Sequence, residues 1–411
     1  MAIDNMTTWD SLLKEHYDGQ AVQNLVYADR PLLALMPKNE RVKGRNHPLP
    51  VIYGDVENRS ATFSTAIAGT TGVLNEQFTM TMVKNYSAAF IDRQLLKSAD
   101  SDVGAFADAA IAPIDSALNN LANDIAFSMY RGSHGARGQV LAEPTEAAST
   151  VITLKSIKDI SGFNVGQTIL IYSATSGGSQ RIYDTGVSSG TLSAIDRNAG
   201  TITITSTGGY TAAGTIAAND YIFVSGDRGL KCSGLADWLP DSAPGATSFF
   251  GVDRSVDVVR LGGNRTTGTG MSVEEALLQA AYDVADIGGG KPDYAVVNFK
   301  QFSKLIKTLG SKVQYLDLDV NGVIGFRGVM IHGAAGPIKV LADRFAPDAK
   351  GYMLQLDTWQ AMSTGPLVQV ADEDAKMLRQ STADAYEVRC AAYYNLGCKA
   401  PGFNGVVSLD A

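Results

Sequence analysis

Hydrophobic residues recur every three or four positions between Asp100 and Gly135, which is the period of an α-helix. The spacing predicts one long helix of roughly 28 residues, about 40 Å from end to end. Pro113 removes one backbone donor and is expected to kink this helix without ending it, because the apolar stripe continues on both sides. Gly132 and Gly135 are expected to end it. The stripe consists of Val103, Phe106, Ala107, Ala110, Ile114, Ala117, Leu118, Leu121, Ile125 and Met129.

Residues 48–92 change to the period of two that is typical of a β-strand. Phe78, Met80 and Met82 alternate with polar residues, which predicts a return strand paired with the strand "PLPVIY". The stretch between the two strands is rich in Gly, Thr, Ser and Ala and offers little to bury. It is therefore either a flexible loop or a segment that becomes ordered on a neighbouring subunit.

Residues 150–228 form short segments of Val, Ile, Thr and Tyr, separated by Gly, Asn and Ser turns every 8 to 12 residues. This spacing is typical of a small all-β barrel or sandwich. The segments before and after it have a different pattern, so we interpret it as an insertion in a larger α/β frame.

The remaining segments frame this insertion. Residues 1–47 contain two short amphipathic pieces followed by a proline-broken stretch, which predicts an arm that lies over another surface. From Met271 the pattern is α/β, and Ser272 with Glu275 forms a capping box that opens a helix. Residues 385–409 alternate enough to predict a long strand near the C-terminus.

Composition excludes several functional classes. The 411 residues are 45% hydrophobic and 18% charged, with a formal net charge of −8. A protein that coats nucleic acid is expected to be basic, so the negative charge of this chain argues against tight coating of DNA or RNA. No apolar run is long enough to span a membrane, and the N-terminus lacks the zones of a signal peptide, so we expect synthesis in the cytoplasm. Cys232, Cys390 and Cys398 have no paired spacing and are expected to be buried free thiols.

The motifs that could indicate chemistry all fail. The stretch Asp317–Gly322 imitates a calcium loop, but Gly328 stands where the twelfth-position Glu is required. Residues 288–292, "GGGKP", lack the phosphate-loop pattern, the four histidines are scattered, and no GxSxG motif occurs. We therefore expect no catalytic residue, no cofactor and no metal. An α/β enzyme with an appended β module, its active site formed by distant residues, is kept as the less favoured alternative.

The order of these elements, together with several short sequence segments, resembles that of the major capsid proteins of tailed bacteriophages. "RPLLALMP" and "PVIY" look like the arm that leads into an extended loop, and "FIDRQLLKSADSDVGAFADAA" looks like the return strand running into a spine helix. "MYRGSHGARGQV" and "DAYEVRCAAYYNLGCKAPGFNGVV" resemble the exit from that helix and the C-terminal strand region. The resemblance implies an α+β chain of the Hong Kong 97-type fold with an inserted all-β domain.

The resemblance also implies a division of the chain into six parts. These are an N-terminal arm (1–47), an extended β-hairpin loop (48–93), a peripheral domain with the spine helix (94–149), the inserted β domain (150–228), an axial α/β domain (229–350), and C-terminal strands that return to the peripheral domain (351–411).

The implied function is structural. Copies of the chain would assemble as pentamers and hexamers into an icosahedral shell around double-stranded DNA, in a virion made in the bacterial cytoplasm. The family's helical scaffolding region is absent, so a separate scaffolding protein is expected, together with a portal, a decoration protein as a further candidate partner, and only weak non-specific contact with DNA. An encapsulin-like bacterial compartment would share the fold and is the main alternative.

Seven loop residues are the candidates for contacts between subunits under this interpretation. Phe63, Ile67, Val73, Leu74 and Phe78 are candidates for burial on a neighbour, and Arg59 and Arg93 for ion pairs across the contact. Packing within the chain is the alternative for each. Phe78→Asp is therefore expected to stop assembly and leave the monomer folded. Some members of the family cross-link a loop Lys to an Asn of a neighbour, but residues 54–76 contain no Lys, so cross-linking is not expected.

Overall fold

The computed structural model describes residues 30–44, 46–93, 111–309, 315–320, 324–370, 378–380 and 383–410. The predicted arm pieces before Arg30 and the predicted first part of the spine helix lie outside them. The helices are α1 (Pro31–Leu35), α2 (Phe63–Ala68), α3 (Ile111–Ser128), α4 (Leu235–Trp238), α5 (Val273–Asp283) and α6 (Phe299–Leu309). Short 3₁₀ or π turns cover Ile157–Gly162, Val284–Gly288, Leu356–Thr358 and Pro401–Phe403.

The strands in chain order are β1 (Lys38–Asn39), β2 (Asn46–Gly54), β3 (Leu74–Thr81), β4 (Val83–Asp92), β5 (Gly138–Gln139), β6 (Thr150–Thr153), β7 (Thr168–Tyr172), β8 (Ser189–Asp196), β9 (Thr201–Thr205), β10 (Tyr221–Val224), β11 (Ser248–Phe249), β12 (Val252–Asp253), β13 (Asn264–Thr267), β14 (Tyr294–Val297), β15 (Tyr315–Val320), β16 (Ile324–Gly333), β17 (Gly336–Ala342), β18 (Lys350–Leu354), β19 (Trp359–Ser363), β20 (Gln369–Val370), β21 (Leu378–Arg379), β22 (Ala385–Cys398) and β23 (Gly405–Ser408).

Helix α3 packs on a sheet built around the long strand β22. One edge of β22 pairs with β4, and its other edge pairs with β19, β20 and β21. The sequence predicted one return strand over residues 75–93, but the structure divides it at Met82. Strand β3 pairs with β2 in a separate hairpin, and β4 joins the β22 sheet. Leu121 and Ile125 of the predicted stripe are buried in the core beneath this sheet.

Helix α3 continues past Pro113 but ends at Ser128, before the predicted stop at Gly132. The turn that follows the helix is bound by a segment from much later in the chain. The Leu235 amide donates to the Met129 carbonyl at 2.7 Å, and the Gly234 amide donates to the Arg131 carbonyl at 3.1 Å. A Cβ on Gly234 would lie 2.4 Å from the Met129 oxygen, so only glycine allows this approach. The last carbonyl groups of the helix accept locally, from the Met129, Tyr130 and Arg131 amides, and the later segment binds the turn that follows the helix.

A second, seven-stranded sheet has the order β13-β23-β18-β14-β17-β16-β15. Helix α5 packs on it and begins with the predicted capping box, since the Glu275 amide donates to Ser272 Oγ and the Ser272 amide donates to Glu275 Oε2. Strands β18 and β23 belong to this sheet, whereas β19 to β22 lie in the β22 sheet. The C-terminal strands therefore serve both sheets and do not return only to one.

The third sheet, β5-β10-β7-β8-β9-β6, closes into a small barrel. Val140 and Leu154 form the bridge that joins its two ends, with the Leu141 amide donating to the Thr153 carbonyl at 2.9 Å. The barrel has its own core, which extends from Val140 to Ile222. Its first strand lies at Gly138–Gln139, ahead of residue 150, because that strand pairs with Tyr221–Ile222.

Candidate assembly interface

The β2–β3 hairpin has a buried root and an exposed tip. It is paired without interruption from Asn46–Thr81 to Ile52–Asn75. Near the root, Leu49, Phe78 and Met80 are buried in the main core. Beyond Gln77 every residue of β3 toward the tip is exposed. The sequence alternation on β3 therefore anchors the hairpin in its own chain and leaves its far end uncovered.

Helix α2 at the tip has no buried residue. Phe63 is 82% exposed and Ile67 is 59% exposed. A helix of six residues is not stable in water without tertiary packing, and large exposed apolar groups that cluster together mark interaction surfaces. The tip thus presents an apolar surface that its own chain does not cover.

Two further predicted residues extend this surface along the hairpin. Val73 is 45% exposed and Leu74 is 47% exposed. Ile52, which the sequence reasoning did not single out, is 70% exposed and lies opposite Asn75 on the partner strand. Its signal was present in the pattern, because the alternation that turns Val51 inward turns Ile52 outward. Ile52 and Leu74 lie on opposite faces of the two-stranded ribbon, because Leu74 is adjacent to Asn75, the residue that pairs with Ile52. We use the name hairpin surface for these exposed apolar residues together, Ile52, Phe63, Ile67, Val73 and Leu74.

The charged candidates already have partners in their own chain. Arg59 Nη2 lies 3.2 Å from Glu57 Oε1, and both side chains are largely exposed. Arg93 Nη1 lies 3.7 Å from Asp384 Oδ1, at the base of the β22 sheet. Pairs this exposed contribute little to stability. Arg59 lies in the tip segment between β2 and α2, whereas Arg93 lies at the end of β4. The role of both arginines in contacts between subunits stays a prediction.

The prediction that Phe78 contacts a neighbouring subunit is wrong. Its side chain is fully buried within the chain, with ring centroids 5.1 Å from Trp238 and 6.2 Å from Phe249 in edge-on arrangements. The residues that cover Phe78 come from much later in the sequence. The local pattern around residue 78 therefore could not show whether the side chain is buried within its own chain or against another subunit. Contrary to the prediction from the sequence, we therefore expect Phe78→Asp to destabilise the monomer, because the variant would place an unpaired charge in the core.

A buried ionic network lies where helix α3 meets both ends of the barrel. Asp124 of α3 pairs with Arg137, just before the barrel, and its Oδ2 lies 2.6 Å from Lys231 Nζ, just after it. Asp227 completes the network, 2.8 Å from Arg137 Nη2 and 3.1 Å from Lys231 Nζ. Asn85 of β4 donates to Asp124 Oδ2 at 2.6 Å. We call Asp124, Arg137, Asp227 and Lys231 the junction network.

The charges of the junction network balance, with two carboxylates and two cations. Burial alone would raise the pKa of Asp124, but Arg137 and Lys231 outweigh it, with Asn85 adding a hydrogen bond. The pKa of Asp124 therefore lies far below its ordinary value. Burial opposes the charge on Arg137, yet the two carboxylates hold its pKa above the ordinary value. The spine helix and the two chain segments that lead into and out of the barrel are thus joined by buried ion pairs, in which Asp124 and Arg137 are each held in the charged form.

Among the described residues, a second buried carboxylate, Asp343, accepts hydrogen bonds from one hydroxyl and two backbone amides and from no cation. Its Oδ2 accepts from Tyr130 Oη at 2.7 Å and from the Leu32 amide at 3.3 Å, and its Oδ1 accepts from the Phe345 amide at 2.9 Å. Burial raises the pKa of Asp343 despite these three hydrogen bonds. This residue links helix α1, the end of the spine helix and the segment after β17.

The described part of the chain contains no cluster of three or more His, Cys, Asp or Glu side chains arranged to hold a metal. The three cysteines are free and buried, as predicted. Burial raises the pKa of the Cys232 thiol to about 11 and that of Cys398 to about 12, so neither is a thiolate near neutral pH. Among the helices that the structure describes, none is both long and apolar enough to cross a bilayer.

Comparison with known proteins gives a family match over part of the chain. The family described as the SU10 major capsid protein matches residues 185–376, slightly less than half of the chain. This region runs from the barrel through the seven-stranded sheet to β20. No curated protein matches the chain.

Solved structures give a match over nearly the whole length. The capsid asymmetric unit of cyanophage A-1(L) superposes with a TM-score of 0.52 at 12% identity and covers 96% of each chain. The capsid of Myoviridae phage XM1 has a TM-score of 0.48 at 10% identity, covering 96% of this chain and 97% of that one. The SrpI encapsulin of Synechococcus elongatus PCC 7942 has a TM-score of 0.48 at 7% identity, covering 100% and 97%.

The cyanophage superposition confirms the predicted Hong Kong 97-type fold. The family match is independent of that superposition and indicates a structural shell protein. The fold and the family match together confirm that the chain resembles the major capsid proteins of tailed bacteriophages.

Proposed function

We propose that this chain is the major capsid protein of a tailed bacteriophage and assembles into the icosahedral shell that encloses its double-stranded DNA. One observation carries the proposal beyond the comparisons. The hairpin is fixed in the core at its root, yet Phe63 and Ile67 at its tip are exposed. Large apolar groups exposed on a fixed support mark an interaction surface, and we infer that a second copy of the chain buries this one.

The parts of the chain take their roles from this proposal. The hairpin is the extended loop, α3 with the β22 sheet forms the peripheral domain, and the seven-stranded sheet forms the axial domain that gathers around the symmetry axes. The barrel is an insertion between them. The proposed role is structural and not catalytic, in keeping with the family match to a major capsid protein.

The partners follow from the same proposal. Copies of the chain form pentamers and hexamers, and a separate scaffolding protein, a portal and a decoration protein complete the particle, which assembles in the host cytoplasm. Contact with packaged DNA is weak and non-specific, because a formal charge of −8 disfavours binding to a polyanion.

The decisive experiment is negative-stain electron microscopy of the chain expressed alone and together with the scaffolding protein encoded beside it. Closed particles of uniform diameter are expected. Phe63→Ser and Ile67→Ser are expected to abolish them and to leave the unfolding midpoint unchanged, because neither side chain is buried in the monomer. Ser64→Ala, on the same exposed helix, is the matched control and should assemble normally.

Two outcomes would count against the proposal. Wild-type chain that stays monomeric under both conditions would contradict shell assembly altogether. Normal particles from both tip variants would show that the hairpin surface is not a contact between subunits. An encapsulin-like compartment is distinguished by content, since particles purified from their natural source would then hold a protein cargo and no double-stranded DNA.

A further inference from the structure

The turn between β11 and β12 adopts a backbone conformation that its sequence disfavours. Phe250 has φ 50° and Gly251 has φ 95°, and the flanking residues Phe249 and Val252 pair directly. Two positive φ angles define a type I′ turn, whose first position favours Asn, Asp or Gly. A bulky aromatic residue there is strained and persists only where its surroundings hold it.

The surroundings of Phe250 are the root of the hairpin. The Phe250 ring lies 4.6 Å from the ring of Phe249 and 6.0 Å from that of the buried Trp238. The Phe250 carbonyl accepts a hydrogen bond from the Thr79 amide of β3 at 2.8 Å. Thr79 lies opposite Pro48 on β2, and its amide points instead to the turn. The strained residue is therefore the one that holds the free edge of β3.

The same segment also holds the other strand of the hairpin. Arg260 Nη1 donates to the Tyr53 carbonyl of β2 at 2.6 Å, and Arg260 Nε lies 3.7 Å from Asp257. The segment is itself fixed to the body, because Arg254 is buried, lies 4.0 Å over the Phe249 ring and donates to the Asp237 carbonyl at 2.8 Å. Residues 248–260, which we call the clamp segment, thus touch both strands of the hairpin from one anchored position.

We propose that the clamp segment sets the direction of the hairpin, with Phe250 and Arg260 as positioning residues for contact between subunits. From Thr79 to Leu74 the strand is about 17 Å long, so a change of about 10° at the root moves the start of the tip by about 3 Å. A shift of that size takes an apolar contact out of van der Waals range. This inference rests on the proposed function, because the direction of the hairpin matters only if the hairpin surface binds a second copy.

The test measures the direction of the hairpin in the unassembled chain. Nitroxide labels at Ser64→Cys on the tip and Lys84→Cys on β4 report their distance distribution by pulsed electron spin resonance, since the native thiols are buried. Phe250→Asn keeps a residue that tolerates positive φ but removes the ring, and Arg260→Ala removes the second contact. Phe250→Tyr and Arg260→Lys are the conservative partners that retain the ring and the donor.

We expect the width of the distance distribution to roughly double in Phe250→Asn and in Arg260→Ala, and to return to the wild-type width in the conservative variants. Amide exchange at Thr79 should rise about tenfold in Phe250→Asn, while the midpoint of thermal unfolding is unchanged. Particle yield should fall in the two broadened variants only. The proposal would be overturned if the distance distribution kept its wild-type width in both Phe250→Asn and Arg260→Ala. It would also be overturned if Phe250→Tyr broadened the distribution as much as Phe250→Asn does.

The two proposals fail in different ways. If wild-type chain forms no particles but the widths respond as expected, the clamp stands and the shell function fails. If the broadened variants assemble into normal particles at normal yield, the clamp exists but does not position the hairpin for assembly, and this inference is refuted while the shell function stands.

Discussion

Replacing Asp124 with Asn tests whether the junction network stabilises the chain. The substitution keeps the size of the side chain and removes one negative charge from a buried cluster of four. Arg137 and Lys231 would then share Asp227 alone, leaving one excess positive charge among groups that are about nine-tenths buried. The introduced amide would also turn an N–H donor toward donors that now face a carboxylate.

Removing one partner from a buried ion pair costs about 3–5 kcal/mol. This corresponds to a decrease of roughly 150- to 5,000-fold in the folding equilibrium constant. We place Asp124→Asn within this range, because Asp124 accepts from three different side chains. Asp115→Asn is the matched control. It makes the same change on the same helix at an exposed position and should alter stability by less than about 0.5 kcal/mol.

The assay is urea unfolding followed by tryptophan fluorescence, since Trp238 and Trp359 are buried in the core that packs on helix α3. The pH dependence supplies a second reading. A depressed pKa means that Asp124 contributes stability above its ordinary value of 3.8, and that this contribution is lost as the pH falls toward the folded-state pKa. The difference in the free energy of unfolding between wild type and Asp124→Asn should therefore have its full value at pH 7 and decrease below about pH 4.

This reasoning would be refuted if, at pH 7, the urea midpoint of Asp124→Asn equalled that of Asp115→Asn within error. The double variant Asp124→Asn with Lys231→Met gives a further check, because it leaves Arg137 paired with Asp227 and restores the charge balance. It should be more stable than Asp124→Asn alone. A double variant whose loss equals the sum of the two single losses would show that the charges act independently.

Three more outcomes are expected. Phe78→Ala should cost about 3–5 kcal/mol in urea unfolding, as for a core aromatic residue packed on Trp238, and a cost below about 1 kcal/mol would contradict its place in the core. Gly234→Ala should cost about 3 kcal/mol by thermal unfolding, because its Cβ has no room against the end of the spine helix; an unchanged midpoint would contradict that contact. Burial raises the pKa of Asp343 in the folded chain, so the protonated carboxyl group favours folding more than the ionised one does. The stability of wild type relative to Asp343→Asn should therefore fall as the pH rises through the folded-state pKa, and a flat difference between pH 4 and 8 would show that the carboxyl group is not desolvated.

Local periodicity predicted the parts of the fold that depend on nearby residues. The helical stripe through Leu121 and Ile125, the strand through Phe78 and the capping box at Ser272 are all found in the structure. Each depends on residues within a few positions of one another. The exposed tip was also visible in the sequence, because a Gly- and Thr-rich segment offers few groups that a core could bury.

The remainder depends on contacts between distant parts of the chain. The turn after the spine helix packs closely on Gly234, and Phe78 is buried by Trp238. Neither Gly234 nor Trp238 lies near in sequence to the element that it contacts. The junction network escaped detection because its four members have no common spacing. Only Asp124 gave a signal, as a charged residue between Leu121 and Ile125 on the apolar side of a helix.

The barrel is closed in a way that places its two connections side by side. Gly138 pairs with Ile222, so the chain leaves the barrel about 5 Å from where it entered. A gap of that size is the one that a two-residue hairpin turn closes. Arg137 and Asp227 lie just outside the two ends and would keep their ion pair if the barrel were exchanged for such a turn. The two adjacent connections therefore mark a place where a foreign domain whose ends lie close together could be grafted onto the chain. Such a domain would have to replace the barrel's Asp159, which pairs with Arg131, and its Gly162 carbonyl, which accepts from Arg137.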